Sequence, residues 1–195
     1  MPQLWAQTIA AHRAEVREAI LDAVGELLRR RGPLALSMSE IAAAAGIGRA
    51  TLYKYFPDVG QVVAAWHERQ VAAHLAELVA IRDEPGDSGE RLRAVCLAYG
   101  RICHQRQQHG DAVLSTVLHR QQPTEESQAQ LVAIFADLIS EAAAAGAVRR
   151  DVPPGELATF CRSALEAGST AAGQPALDRL VELVWTSLAA PGDVA

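Results

Sequence analysis

The chain has 195 residues, half of them apolar, and a formal net charge of −5. That composition supports a sizeable core, in one medium domain or in a small domain joined to a larger one, and excludes general disorder apart from the ends. Alanine and leucine dominate while β-branched and aromatic residues are few, which favours helix over strand. No apolar run approaches the roughly 20 residues needed to cross a bilayer.

In chain order, Val16, Ile20, Val24, Leu27 and Leu28 recur at helical spacing and predict a first helix over 12–31, ended by Gly32-Pro33. Ser37 followed by Glu40 reads as a capping box, so a second helix starts at Met38 and runs to Ala45. Gly46 suits the left-handed position just past its end. A third, short helix is expected over 49–55, between Gly48 and Pro57. Asp58 is a suitable N-cap for a fourth over 59–82. The stretch DEPGDSG at 83–89 is the clearest loop. Further helices are expected over 90–109, 112–120, 124–145 and 154–172, with a last one over 175–190. The AAAAG of 42–46 recurs at 142–146 as two alanine-rich helix ends, each closed by glycine, and not as a structural repeat.

Ala42, Gly46 and Leu52 form the most informative constellation. Two helices crossing steeply over a short turn need a small residue on the first, a residue free to adopt positive φ in the turn, and an apolar residue on the second pointing into the angle. These three supply them in that order, with Ile41, Ile47 and Phe56 around Leu52. Arg49, Ala50, Thr51, Tyr53 and Lys54 are left facing outward, a short polar, aromatic and basic face suited to a major groove. Lys54 is the only lysine in the chain. Residues 1–60 carry seven Arg or Lys against six Asp or Glu, and residues 61–195 carry eleven against seventeen. The acidity therefore belongs to the C-terminal two-thirds and discourages nonspecific DNA binding away from one face.

The segment SMSEIAAAAGIGRATLYKYFPD, preceded by ILDAVGELLRRRG, resembles the DNA-binding segment of TetR-type (tetracycline-repressor-like) transcriptional regulators over residues 19–66. The resemblance implies an all-α fold. A three-helix helix-turn-helix DNA-binding domain (1–58) would precede a larger helical domain (59–195) for effector binding and dimerisation. It also implies a dimeric, sequence-specific regulator, a repressor released from a double-stranded operator by a small-molecule effector. Arg49, Ala50 and Thr51 would face base edges, and Tyr53, Lys54 and Ser39 would hold phosphates. One position departs from the pattern: where the family commonly carries a phosphate-binding lysine at the start of the fourth helix, this chain has Val59. The contact is either missing or replaced by Arg13 or Arg17.

The resemblance further places dimerisation on the last two helices, through Leu157, Phe160, Ala164 and Gly168 on one and Leu177, Val181, Val184 and Leu188 on the other. The same stripes would serve equally to line the chain's own core. Trp66, Tyr99, Cys103, Leu131 and Phe135 are candidate walls of an effector pocket, or plain core, and His104, His109 and His119 could hydrogen-bond a polar effector or sit on the surface. No His/Cys/Asp spacing reads as a metal site, and no cofactor is expected. Cys96, Cys103 and Cys161 are odd in number and form no CxxC pair, so a reducing, cytoplasmic setting is expected. The opening MPQLWAQTIAAHRAEV lacks the pattern of a signal peptide. Cys96 and Cys103, seven apart on one helical face, are a conceivable redox pair or two buried thiols. No GxSxG, Walker loop, HExxH or acid pair in an apolar setting points to an enzyme. A DNA-binding protein without an effector is the remaining alternative.

Overall fold

The computed structural model describes residues 2–31, 36–108, 125–168 and 173–190. Among these, the chain forms eight helices: α1 (Pro2–Arg31), α2 (Met38–Ala44), α3 (Arg49–Tyr55), α4 (Val59–Arg82), α5 (Ser88–Gln108), α6 (Glu125–Ala144), α7 (Pro154–Ala167) and α8 (Gln174–Leu188). The one extended pairing among them is an isolated bridge between Val148 and Ala189. No helix among the described residues is long and apolar enough to cross a membrane.

α3 and α4 span the residues the sequence predicts. α1 starts ten residues early, because Pro2 fits the first turn of a helix and nothing between it and His12 breaks one; the apolar stripe that marked this helix begins only at Val16. α5 starts two residues early because Asp87 caps it, its carboxylate Oδ1 accepting from the Glu90 amide at 3.0 Å. The helix expected over 112–120 lies outside the described residues, as do His109 and His119.

The repeated AAAAG resolves into one device used twice. After α2, the amides of Gly46 and Ile47 donate to the carbonyls of Ala43 and Ala42 at 3.2 and 3.0 Å, with Gly46 at φ 67°. After α6, Gly146 and Ala147 do the same to Ala143 and Ala142 at 3.1 and 2.9 Å, with Gly146 at φ 86°. Both are Schellman closures, which need a left-handed residue just past the helix end.

By contacts the chain divides into two units, and the division falls between Gln70 and Val71, inside α4. The boundary expected at 58/59 is displaced because the first turns of α4 belong to the first core. There Val62, Val63, Ala64 and Ala65 are buried with Ile20, Leu21, Val24 and Leu28 of α1, Met38, Ile41 and Ala42 of α2, and Leu52 and Phe56. In the same unit Arg69 on α4 binds Glu18 and Asp22 on α1 at 2.8 and 2.9 Å. The second core is larger. It gathers one face each of α5, α6, α7 and α8, with Phe135, Leu138, Ile139, Cys161, Leu165 and Leu188 fully buried.

Candidate nucleic-acid interface

In the first unit, α2 and α3 are built by local chemistry. Ser37 Oγ accepts from the Glu40 amide at 3.3 Å, and the Glu40 carboxylate accepts from the Ser37 amide at 3.1 Å and its hydroxyl at 2.7 Å. This is the expected capping box, and it folds the one acid of α2 back onto the helix start. Gly46 then turns the chain, and Gly48 opens α3 in extended conformation. Leu52 is fully buried and Ala42 nearly so, placing both in the angle between the helices. Asp58 Oδ1 caps α4 by accepting from the Gln61 amide at 2.8 Å.

The remaining side chains of α3 form its outer face. Arg49, Ala50, Tyr53 and Lys54 are exposed, as is Ser39 on α2, while Thr51 is half-buried. Among the described residues no carboxylate pairs with Arg49 or Lys54. Such a face can donate to base-edge acceptors and phosphate oxygens without first breaking an internal ion pair.

Arg13 and Arg17, which the resemblance offers in place of a lysine at Val59, lie over the rings at the end of α3. The guanidinium carbon of Arg13 lies 5.8 Å from the centroid of the Tyr55 ring, and that of Arg17 lies 5.2 Å from the Phe56 ring. Arg13, Arg17, Ile20, Val24 and Leu28 follow one helical stripe, so the apolar face of α1 turns basic a turn before Ile20.

In the second unit, four of the proposed pocket residues come together: Tyr99, Cys103, Leu131 and Phe135 all lie in its core. The Tyr99 and Phe135 rings meet edge to face at 5.7 Å. Trp66 does not join them, because it packs against the first core. The Tyr99 hydroxyl donates to Glu166 Oε1 at 2.9 Å, and Arg162 donates to both oxygens of the same carboxylate at 2.8 and 2.9 Å. Burial, together with the nearby Cys103 and Glu166, holds the Tyr99 hydroxyl protonated well above its usual range. Burial likewise pushes the Cys103 thiol up to about 11.

Of the two readings of the cysteines, the structure fits the buried thiols. All three are buried, and the hydrogen-bond partner of Cys96 is Cys161 rather than Cys103. That bond and burial push the Cys96 thiol up. A redox switch needs an accessible thiolate, so this arrangement opposes one. Among the described residues no cluster of three or more His, Cys, Asp or Glu is arranged to hold a metal.

The stripes assigned to a dimer interface need correction. Leu157, Leu177, Val181, Val184 and Leu188 are buried in the chain's own core. Gly168 is covered too: a Cβ on it would lie 2.2 Å from Leu180 Cδ2. Ala164 is partly buried against the same core. Phe160 alone of the eight stays exposed, at 45%, and Leu183 on α8, which the sequence reading passed over, is exposed at 65%. Leu183 also lines an open groove along α8 with Arg179, Glu182, Thr186 and Ser187.

Comparison with known proteins bears on both units. Residues 20–65 match the profile described as bacterial regulatory proteins, tetR family. Residues 101–190 match that of the SbtR-like transcriptional regulator C-terminal domain. The chain is 31% identical over 185 residues to the HTH-type transcriptional repressor LfrR of Mycolicibacterium smegmatis, covering 90% of this chain and 89% of that protein. An uncharacterised HTH-type transcriptional regulator of Mycobacterium tuberculosis is 35% identical over 85 residues, 43% of this chain and 42% of the relative, so that match spans less than half of either. A TetR/AcrR-family regulator from Thermobifida fusca has the same fold, with a TM-score of 0.71 at 24% identity over 87% of this chain and 94% of the other. AibR, solved in complex with isovaleryl coenzyme A and operator DNA, shares the fold at a TM-score of 0.61 and 19% identity, over 89% and 97% of the two chains. These relatives are regulators and not enzymes. With a capped helix-turn-helix near its start, a helical unit following it in sequence and kinship to LfrR along nearly its whole length, the chain belongs to the TetR family of DNA-binding transcriptional regulators.

Proposed function

We propose that the chain is a dimeric, sequence-specific repressor released from its operator by a small-molecule effector. The observation that carries this reading is the outer face of α3, where Arg49, Ala50, Tyr53 and Lys54 are exposed and the two cations have no carboxylate partner among the described residues. Arg49 and Ala50 at the start of α3, with Thr51 behind them, read base edges; Ser39, Tyr53 and Lys54 hold phosphates and set the register. The effector binds in the second unit near Tyr99, Cys103, Leu131 and Phe135, where the Tyr99–Glu166–Arg162 network supplies polar groups beside an aromatic and aliphatic wall. AibR, of the same fold, was solved with both operator DNA and a small molecule, which supports the pairing of functions.

The second copy binds the outer face of α7 and α8, with Phe160 and Leu183 as its apolar centres. Such a two-fold contact predicts a pseudo-palindromic operator, its half-sites about one helical turn or a multiple apart. α4 is one uninterrupted helix with Val62 and Val63 in the first core and Leu78 in the second, so it carries any displacement that releases DNA. The test is selection of binding sites from a randomised duplex pool, followed by gel shifts. Arg49→Ala with Lys54→Ala is expected to abolish binding to the selected sequence. Unchanged shifts would remove the recognition role from α3.

A further inference from the structure

The first unit holds two further cations whose placement is not explained by the contacts of α3 alone. Arg13 and Arg17 lie one turn apart on α1, with their guanidinium carbons over adjacent rings, Tyr55 and Phe56, where α3 ends. Phe56 is buried and Tyr55 half-buried, so the platform beneath them is fixed, while both arginines are exposed. A guanidinium held over a ring by cation–π attraction keeps N–H groups that can donate elsewhere. Such a contact also restrains a long side chain before any ligand arrives.

The nearby acids are engaged elsewhere. Glu18 and Asp22 bind Arg69 and Glu26 pairs with Arg29 and Arg30, while Glu15 faces His12. These four acids follow the stripe of α1 opposite Arg13 and Arg17. Among the described residues no carboxylate pairs with either arginine.

We propose that Arg13 and Arg17 form a phosphate clamp, donating from their guanidinium edges to backbone oxygens of the duplex whose bases α3 reads. The clamp rests on the DNA-binding reading above. It adds affinity and register without sequence preference, because phosphates are the same at every step.

The test measures affinity by fluorescence anisotropy from about 0.05 to 0.3 M salt, on a random duplex of about 30 base pairs and on a duplex selected from a randomised pool. In R13Q/R17Q, the slope of log affinity against log salt is expected to fall by about 0.9 per arginine per bound protomer, and affinity for both duplexes to drop by a similar factor, roughly tenfold. R13K/R17K keeps the charges without the stacking and is expected to retain most of the slope. Arg49→Ala is expected to erase the preference for the selected duplex instead. A lowered melting temperature with an unchanged salt slope in R13Q/R17Q would show that the arginines only cover the rings, and would overturn the clamp. Loss of preference for the selected duplex alone would also overturn it. If the wild-type chain binds neither duplex, the DNA reading falls and the clamp with it; wild-type binding with an unchanged slope removes the clamp alone.

Discussion

The two Schellman closures allow a matched experiment on the helix-turn-helix. Gly46 has φ +67° and Gly146 φ +86°, and a Cβ at either meets nothing within 4 Å. Replacing either by alanine therefore adds no clash, and the whole cost is backbone. Forcing an L-residue into the left-handed region costs roughly 1–2 kcal/mol. Alanine also restricts the unfolded chain, which offsets about 0.4–1 kcal/mol of that. Gly46→Ala and Gly146→Ala are each expected to lose about 1 kcal/mol in denaturant unfolding followed by circular dichroism. The asparagine variants should lose less, because asparagine enters this region more readily. Function separates the pair: Gly46→Ala loosens the turn that aims α3 and lowers duplex affinity, while Gly146→Ala leaves affinity unchanged. Equal stability of wild type and Gly46→Ala, or a loss above about 3 kcal/mol, would refute a purely conformational cost. Equal damage to DNA binding from both variants would refute the assignment of the turn.

Three further outcomes follow from burial and titration. Leu52→Ala should cost about 2–5 kcal/mol, since it empties a fully buried site, and thermal unfolding checks it. Cys103 should make stability fall at alkaline pH. Burial pushes its thiol up to about 11 when folded against 9.0 for a solvated thiol, so the unfolded chain releases the proton first. The contribution is complete below about 9 and is lost as pH rises to about 11. The fall of denaturant midpoints across that window should be shallower in Cys103→Ala, with Cys96 and Tyr99 supplying the remainder, and an unchanged slope would refute the linkage. Phe160→Asp with Leu183→Asp should yield a folded monomer by sedimentation, because both side chains are already exposed within one chain. Val184→Asp should instead unfold the second unit, since Val184 is 2% exposed.

Much of the first unit was legible because its signals are local. Ser37, Gly46, Gly48 and Asp58 each fix a helix end through neighbours at most a few residues away, and each does so in the structure. The outer face of α3 was legible for the same reason: in a seven-residue helix, fixing Leu52 inward fixes the others. The second unit was less so. A helix stripe facing its own core and one facing a partner share the same period, so Leu177, Val181, Val184 and Leu188 could not be placed by spacing. What separated the faces was the packing of Leu180 and Leu177 over Gly168, a contact between α7 and α8. Trp66 was misplaced for a related reason. Its apolar character marked it as interior, but α4 contributes to two cores, and only tertiary packing says which one holds each turn. The Cys96–Cys161 pair was likewise invisible, because its partners are 65 positions apart on different helices.

The net charge of −5 stops being a difficulty for a DNA-binding chain once charges are sorted by partner as well as by position. Counting alone leaves the first 60 residues nearly neutral, with seven basic residues against six acidic ones. The structure ties four of the six acids to partners within the unit: Glu18 and Asp22 to Arg69, Glu26 to Arg29 and Arg30, and Glu40 to the cap at Ser37. The cations without a carboxylate partner among the described residues include Arg13, Arg17, Arg49 and Lys54, on α3 and on the stripe of α1 that meets its end. Screening limits the reach of exposed charges to about 8–10 Å at ordinary ionic strength. Within the first unit, a phosphate approaching α3 therefore responds chiefly to those cations, because the acids named above are already engaged by partners.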